Sequence, residues 1–370
     1  MRSFALLALA AGSATAKGPA PGEVLIFSDS FTTLNTSLWK HEITLSGGGN
    51  WEFEWYANNR STSYVRDGAL YISPRLTNDT ITTAGLATAD INLWGGDPAT
   101  TCTDNFEYGC ERAGGGGNIV NPVMSAKVRT AETFAFTYGR VEFVAKLPRG
   151  DWLWPALWLM PVNAAYGSWP ASGEIDVMES RGNAPRAPGG GVDAMSSTLH
   201  FGPFFGADGY LAANAQYVDP AGDLSAAFHT YGLSWNATRM QTYVDNTIVL
   251  DVDTSTTSFF ARSPVGNGTY NPWEGRGPNA PFDQRFYIIM EVAVGGTNGC
   301  ECTAPRLPRG ARRCDANQHP NPARPHAPQT RLPGWQGRRQ AVVGQLAARG
   351  DGLLERRRAV GAHVDIANGY

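Results

Sequence analysis

Three acidic residues lie close together in the short segment Gly173–Glu179 and are separated by apolar residues. In an extended strand alternate side chains share a face, so Glu174 and Asp176 point the same way and strict alternation turns Glu179 away. One extra residue at Val177-Met178, a β-bulge, returns Glu179 to their face. Carboxylates on one strand face repel each other, and such a costly arrangement is typical of a site that does chemistry. Two carboxyls flanking a bond are the machinery of glycoside hydrolysis.

Tryptophans precede this acidic segment. The stretch Trp152–Trp158 comes before it, and Trp169 lies just before Glu174. Indole rings beside carboxylates indicate a groove that stacks sugar rings on aromatic faces and cuts between them. Trp158 lies inside an apolar run and fits the hydrophobic core as well as the groove. The competing interpretation, a solvated strand edge with scattered acids, does not account for the tryptophans.

Composition and charge favour a large domain rich in strands. The chain has 370 residues, 11% aromatic residues, 43 Gly and 24 Pro, which suits an all-β domain with many turns. The formal net charge is −3, but residues 301–370 hold twelve Arg against five Asp and Glu, so residues 1–300 carry −10. This acidic body argues against a nucleic-acid partner.

The first 16 residues have the pattern of a secretory signal peptide. Arg2 gives the positive start, Phe4–Ala11 the apolar stretch and Ala14–Ala16 the small-residue cleavage site. The apolar stretch is too short for a membrane anchor, which needs about 20 residues. We therefore expect residues 1–16 to be removed, the mature chain to begin near Lys17, and the protein to be secreted without a membrane attachment.

Secretion gives meaning to the Asn-X-Ser/Thr sequences and to the cysteines. Glycosylation, if the source is a eukaryote, is predicted at Asn35, Asn59, Asn78, Asn236 and Asn267. Cys102 and Cys110 bracket a short loop and are predicted disulfide partners. Cys300, Cys302 and Cys314 have no second pair or histidine group at zinc-like spacing, so we expect no metal site there.

Strand patterns dominate the chain between residues 23 and 299. Stretches of β-branched and aromatic residues alternate with turn signals such as Asp67-Gly68 and Asp245-Asn246, and no long stretch has the helical period. Many short strands with regular turns predict an all-β sandwich or barrel. The segment Trp51–Tyr56 fits either an amphipathic strand or one wall of a sugar groove, with Asn58 and Arg60 offering hydrogen bonds.

The composition changes after Gly299. Residues 301–370 contain no Phe and no Lys, are rich in Arg, Pro, Ala and Gly, and favour a disordered basic tail without strands. A one-base shift of the reading frame from Arg339 permits a more aromatic segment, so a second interpretation is mistranslation that begins just after Gly299. Sequencing the transcript across this junction tests that hypothesis. We place the domain at residues 17–299 and expect the literal chain to lack one strand.

Across residues 23–299 the chain resembles glycoside hydrolase family 16, in the branch of endo-β-1,3-glucanases (laminarinases) and β-glucan recognition proteins. The matching motifs include WEFEWYANNR, TYGRVEFVAKLPRGDWLWPALWLMP, SWPASGEIDVMESRGN, TLHFGP and APFDQRFYIIMEVAVGGTNG. The resemblance implies a β-jelly-roll sandwich of two curved antiparallel sheets, with the acids on the concave face.

The resemblance also implies roles for individual residues. In a retaining double displacement Glu174 matches the nucleophile, Glu179 the general acid/base and Asp176 the acid between them, and this chemistry needs no cofactor. His200 matches a histidine near the catalytic strand. Segments that line the family's cleft contribute Trp154, Trp158, Trp169, Asn58 and Arg140. Some relatives hold a structural calcium away from the cleft, and nothing in this sequence indicates one.

Three functions are compatible with these features. The first is a secreted, monomeric endo-β-1,3-glucanase that binds β-glucan and extends to mixed β-1,3/1,4-glucan. The second is a β-glucan recognition protein that binds without cutting, and the third is a transglycosylase that remodels cell-wall glucan. The recognition branch typically lacks the catalytic glutamates, so the presence of Glu174 and Glu179 favours an enzyme. The acidic motif does not separate hydrolysis from transfer.

Overall fold

The structure is a computed structural model that describes residues 18–95, 101–296 and 360–369, the last of these as backbone. The strands are β1 (Glu23–Asp29), β2 (Lys40–His41), β3 (Glu54–Tyr56), β4 (Ser63–Arg66), β5 (Ala69–Ile72), β6 (Arg75–Leu76), β7 (Asp90–Asn92), β8 (Glu111–Ala113), β9 (Val123–Ser125), β10 (Lys127–Arg129), β11 (Gly139–Lys146), β12 (Leu153–Pro161), β13 (Glu174–Ser180), β14 (Ala194–His200), β15 (Asn214–Val218), β16 (His229–Trp235), β17 (Arg239–Val244), β18 (Thr247–Asp253), β19 (Phe286–Val294) and β20 (Val360–Gly369). Two short helices are α1 (Asn78–Leu86) and α2 (Phe259–Arg262). The predicted signal peptide and Cys300, Cys302 and Cys314 lie outside the described residues.

Two antiparallel sheets make up the sandwich. The sheet that carries the three acids, called here the acid-bearing sheet, has the order β15-β14-β13-β12-β19-β10-β2. The opposing back sheet has the order β18-β17-β16-β11-β20-β5-β4, and β1 also pairs with β20. Strands far apart in sequence, such as β12 and β19, are neighbours, which gives the crossed connections of a jelly roll. The predicted all-β jelly-roll sandwich is confirmed.

The hydrophobic core lies between the sheets and follows the alternation of the strands. Ile175 and Val177 on β13 are fully buried, as are Val141, Phe143 and Ala145 on β11. Burial of such a side chain is worth roughly 1.5–3 kcal/mol relative to exposure. The buried core residues therefore determine which positions of each strand face outward. On β13 the first two outward positions are Glu174 and Asp176.

The strand β20 lies in the middle of the back sheet. It pairs with β11 on one side, where Val364 and Ile366 stand opposite Phe143 and Val141, and with β1 and β5 on the other. The prediction that residues 300–370 supply no strand is therefore wrong for these ten residues. Their sequence has an apolar residue at every second position from Val360 to Ile366, which is the pattern of a strand. The prediction missed this pattern because it was based on the Arg-rich composition of the whole segment.

No helix among the described residues is long and apolar enough to cross a membrane.

Candidate active site

The three acids lie on β13, whose pairing with both neighbours is interrupted by a bulge. The register with β14 shifts between Asp176 and Glu179, and the register with β12 shifts at the same level. Val177 and Met178 are both fully buried in the core, so the extra residue is accommodated there. Glu179 returns to the outward face with Glu174 and Asp176, and the predicted bulge is confirmed. We call this outward face of the acid-bearing sheet the groove.

Each of the two glutamates accepts a hydrogen bond from its own indole. Trp154 Nε1, on the neighbouring strand β12, donates to Glu179 Oε1 at 2.9 Å. Trp169 Nε1, in the loop before β13, donates to Glu174 Oε2 at 2.8 Å. These bonds fix the orientation of both carboxyls. The structure therefore brings these two predicted groove tryptophans directly to the acids.

His200 lies between two aspartates. Its Nε2 is 3.2 Å from Asp176 Oδ2, and its Nδ1 is 2.6 Å from Asp208 Oδ2. Burial lowers the pKa of His200, but the interactions with both aspartates outweigh burial and leave the pKa well above its usual value. The imidazolium is therefore favoured, hydrogen-bonded to Asp208 and ion-paired with Asp176. Asp208, eight residues along the chain, had no motif that pointed to it.

The acids on β13 also influence one another. Burial raises the pKa of Glu174, the positive charge of His200 opposes this, and the charge of Glu179 adds to the increase. Burial and then the charge of Glu174 raise the pKa of Asp176 well above its usual range. We therefore expect the three acids to titrate as a coupled set, with Asp176 placed to share a proton within the cluster.

The same cluster has the donor types of a metal site. Glu174, Asp176 and His200 each place one potential ligand atom within 4.8 Å of the others. Both ring nitrogens of His200 face aspartate oxygens, Nδ1 at 2.6 Å from Asp208 and Nε2 at 3.2 Å from Asp176. The imidazole is therefore engaged with two aspartates.

A row of residues in register continues the groove across four strands. Glu179 on β13 stands opposite Ala156 on β12, Ala156 opposite Glu291 on β19, and Glu291 opposite Lys127 on β10. Trp158 stands opposite Asp176 and has Lys127 Nζ 4.7 Å from its ring centroid. Trp158 is therefore part of the groove, which answers the question that the sequence left open.

Comparison with known proteins places this geometry in a family. The model of the family "Glycosyl hydrolases family 16" matches residues 90–283. A beta-1,3-glucan-binding protein of Penaeus monodon is 48% identical over 276 residues, which are 74% of this chain and 75% of that protein. The chain belongs to glycosyl hydrolase family 16.

A second relative and a solved structure are also similar to this family 16 chain. A glucan endo-1,3-beta-glucosidase of Cryptopygus antarcticus is 32% identical over 275 residues, covering 74% of this chain and 81% of that protein. The laminarinase of Rhodothermus marinus superposes with a TM-score of 0.55 at 21% identity, covering 94% of this chain and 98% of that one. At this identity the structural likeness shows the shared fold alone.

This family 16 chain carries a second group of acids beside the groove that sequence reasoning did not assign. Glu52 and Glu54 come from the WEFEWY segment and are buried, while Glu291 in the groove row is half-buried. Glu54 Oε2 accepts a hydrogen bond from the backbone N–H of Val294 at 2.6 Å. Burial raises the pKa of Glu54 to about 7 and that of Glu52 well above its usual value. The segment is thus a buried support of the groove, not only an amphipathic strand.

The structure corrects one predicted groove residue. Arg140 lies on β11 in the back sheet, where it pairs with Glu23 at 2.8 Å and with Glu142 at 2.6 Å. The prediction for Arg140 is wrong because a motif match does not reveal the sheet that a strand joins. Asn58 accepts a hydrogen bond from Arg60, whose Nη2 lies 3.4 Å from His41 of the edge strand β2, and its contact with the substrate stays a prediction.

The disulfide prediction is confirmed, since Cys102 and Cys110 are bonded. The glycosylation sites stay a prediction. Four of the five asparagines are exposed, namely Asn35, Asn59, Asn236 and Asn267. Asn78 is half-buried and its Nδ2 donates to Thr83 Oγ1 at 3.2 Å, so we expect it to be the poorest acceptor.

Proposed function

We propose that this chain is a secreted, retaining endo-β-1,3-glucanase that also accepts mixed β-1,3/1,4-glucan. One observation carries the proposal: Glu174 and Glu179 share the groove across a bulge, and each is oriented by an indole N–H. Two oriented carboxyls beside aromatic faces are what double displacement on a sugar chain requires. Secretion is supported by the pattern of residues 1–16, and the substrate class by the names of the family relatives.

In the first step the Glu174 carboxylate bonds to the anomeric carbon as the bond from that carbon to the leaving sugar oxygen breaks. Glu179 donates its proton to that oxygen, so the leaving sugar departs neutral. In the second step the Glu179 carboxylate takes a proton from water, the water oxygen attacks the anomeric carbon, and Glu174 is released as a carboxylate. Asp176, whose Oδ2 lies 3.2 Å from His200 Nε2, is placed to share a proton with the pair and so to limit the repulsion between them.

Glu174→Gln tests the assignment of the nucleophile. We expect the variant to lose laminarin hydrolysis by at least about a thousandfold, because an amide cannot form the glycosyl ester, while laminarin binding persists. Chromatography of products over time gives the rate, and NMR of the first anomer formed gives the stereochemistry. Glu274→Gln, at an exposed acid, is the matched control. Unchanged turnover in Glu174→Gln, or an inverted first product, contradicts the proposal.

A second candidate, glucan recognition without cleavage, is favoured by one observation. The Penaeus monodon relative, 48% identical over 276 residues, is named a beta-1,3-glucan-binding protein. Wild-type protein that binds laminarin with no product at any time would support this function instead. Products longer than the donor would indicate a transglycosylase, since a sugar then replaces water as the acceptor.

A further inference from the structure

A cavity of about 330 Å³ lies at the β10–β2 edge of the groove. Its lining includes Glu42, Ser46, Tyr56, Asp104, Phe106 and Lys127. Pockets that hold small ligands measure about 300–1,000 Å³, so this one is of a size for a ligand no larger than a short piece of a sugar chain. None of the roles proposed above uses it.

The groove row leads directly into this cavity. The row runs from Glu179 through Ala156 and Glu291 to Lys127, and Lys127 is part of the cavity wall. Three strand spacings separate β13 from β10, a distance of about 14 Å. Trp158 lies between the two points with its ring beneath Lys127. A glucan chain bound at the acids can therefore reach the cavity while it stays on one face of the sheet.

The chemistry of the wall suits a neutral, hydroxyl-rich ring. Lys127 Nζ is 3.1 Å from Glu42 Oε2 and 3.6 Å from Glu291 Oε2, so its charge is already compensated and does not favour an anion. Carboxylates and a hydroxyl offer hydrogen bonds to sugar hydroxyls, and Phe106 offers aromatic surface. Gly48, at φ +60°, completes one wall with bare backbone, because a Cβ there would collide with the Glu52 carboxylate.

The outer part of the cavity belongs to the disulfide-bonded loop Cys102–Cys110. Asp104 and Phe106 line the cavity from this loop, and Phe106 is 58% exposed. Two hydrogen bonds anchor the loop to residues 44 and 45, each at 2.7 Å. Leu45 N donates to Gly109 O, and Thr44 Oγ1 donates to Asp104 O. An exposed aromatic ring on a doubly anchored loop is a pre-organised contact for a ligand.

We propose that the cavity is the distal sugar subsite of the groove and that the Cys102–Cys110 loop, through Phe106 and Asp104, fixes how many glucose units bind on this side. The inference rests on the proposed function, because it names a further contact for the same glucan chain. The ligand is a neutral hexose unit of that chain.

Phe106→Ala tests this inference with laminari-oligosaccharides of increasing length. In wild-type protein we expect kcat/KM to rise with length until the distal subsite is filled. In Phe106→Ala, kcat/KM for substrates long enough to fill the distal subsite should fall by about tenfold. The shorter substrates should be cleaved as before. Tyr270→Ala, which removes a ring that is 77% exposed elsewhere on the surface, is the control. A Cys102→Ser/Cys110→Ser double variant should show the same length-dependent loss.

Calorimetric titration of the Glu174→Gln background with the same oligosaccharides separates the possible failures. A loss of affinity confined to the long oligosaccharides supports the distal subsite. Equal loss at all lengths, or none, overturns it while leaving the glucanase proposal intact. If wild-type protein neither cleaves nor binds these oligosaccharides, the proposed function is overturned and this inference with it.

Discussion

The indole N–H of Trp169 has a specific task at Glu174. A nucleophilic carboxylate must be ionised, yet burial raises the pKa of Glu174, and the bond from Trp169 is among the contacts that lower it. A hydrogen bond to a charged group contributes about 1.5–3 kcal/mol. The bond therefore keeps the nucleophile usable at lower pH than burial alone would allow.

Trp169→Phe removes this donor and keeps the ring. We expect kcat/KM to fall by about tenfold or more, and its acidic limb to move to higher pH, because the pKa of Glu174 rises further when the bond is lost. The measurement is the pH profile of laminarin hydrolysis. Trp94→Phe, at a tryptophan that is 57% exposed, controls for the loss of an indole. An acidic limb that does not move shows that Trp169 acts only as a surface for sugar.

At the scale of elements, local spacing predicted more than composition did. The bulge at Val177-Met178 followed from the spacing of the acids because a strand has only two faces. The assignment of Arg140 failed because its strand could belong to either sheet, and only pairing with β16 and β20 settles that. The contact of the buried Glu54 with the β19 segment could not be predicted from sequence, since Val294, whose N–H donates to Glu54, lies 240 residues later.

The strand β20 gives a prediction at this scale. A chain that ends at residue 359 leaves β11 without one of its two partner strands and opens the middle of the back sheet. We expect the free energy of unfolding to fall by several kcal/mol, a large part of the roughly 5–15 kcal/mol typical of a domain, with loss of a cooperative transition. Urea denaturation followed by tryptophan fluorescence measures this.

A chain that ends at Gly369 retains all of β20 and is the control for that truncation. Equal stability of the two truncated chains would mean that residues 360–369 are dispensable. It would then favour the interpretation that the residues after Gly299 are mistranslated.

At the scale of the whole molecule, the buried acids make stability depend on pH. The pKa of Glu54 is about 7 in the folded chain and 4.5 by its ordinary value, so the folded state holds a proton that the unfolded state releases between these values. Stability contributed by this proton is present below about pH 4.5 and is lost as the pH rises through 7. Glu52 and Glu291, with pKa values raised mainly by burial, act in the same direction.

Glu54→Gln should flatten this dependence, because the amide keeps the bond from Val294 N–H and does not ionise. We expect the variant to match wild-type stability near pH 4.5 and to exceed it by about 1–3 kcal/mol at pH 8. Thermal and urea denaturation from pH 4.5 to 8 provide the comparison. Glu111→Gln, at an exposed acid, is the control. Parallel stability curves for wild type and Glu54→Gln would contradict this account.

The position of β20 has a consequence for biosynthesis. Glu23 at the start of β1 pairs with Gly369 at the end of β20, so the first and last described strands are neighbours. A nascent chain emerges from the ribosome at about 5–20 residues per second, and domains generally fold as units. β20 is the last of the described strands to be synthesised, so we expect β11 and β5 to lack this partner until residues 360–369 have emerged. Chaperones that shield exposed apolar surface should therefore engage the domain before the fold closes.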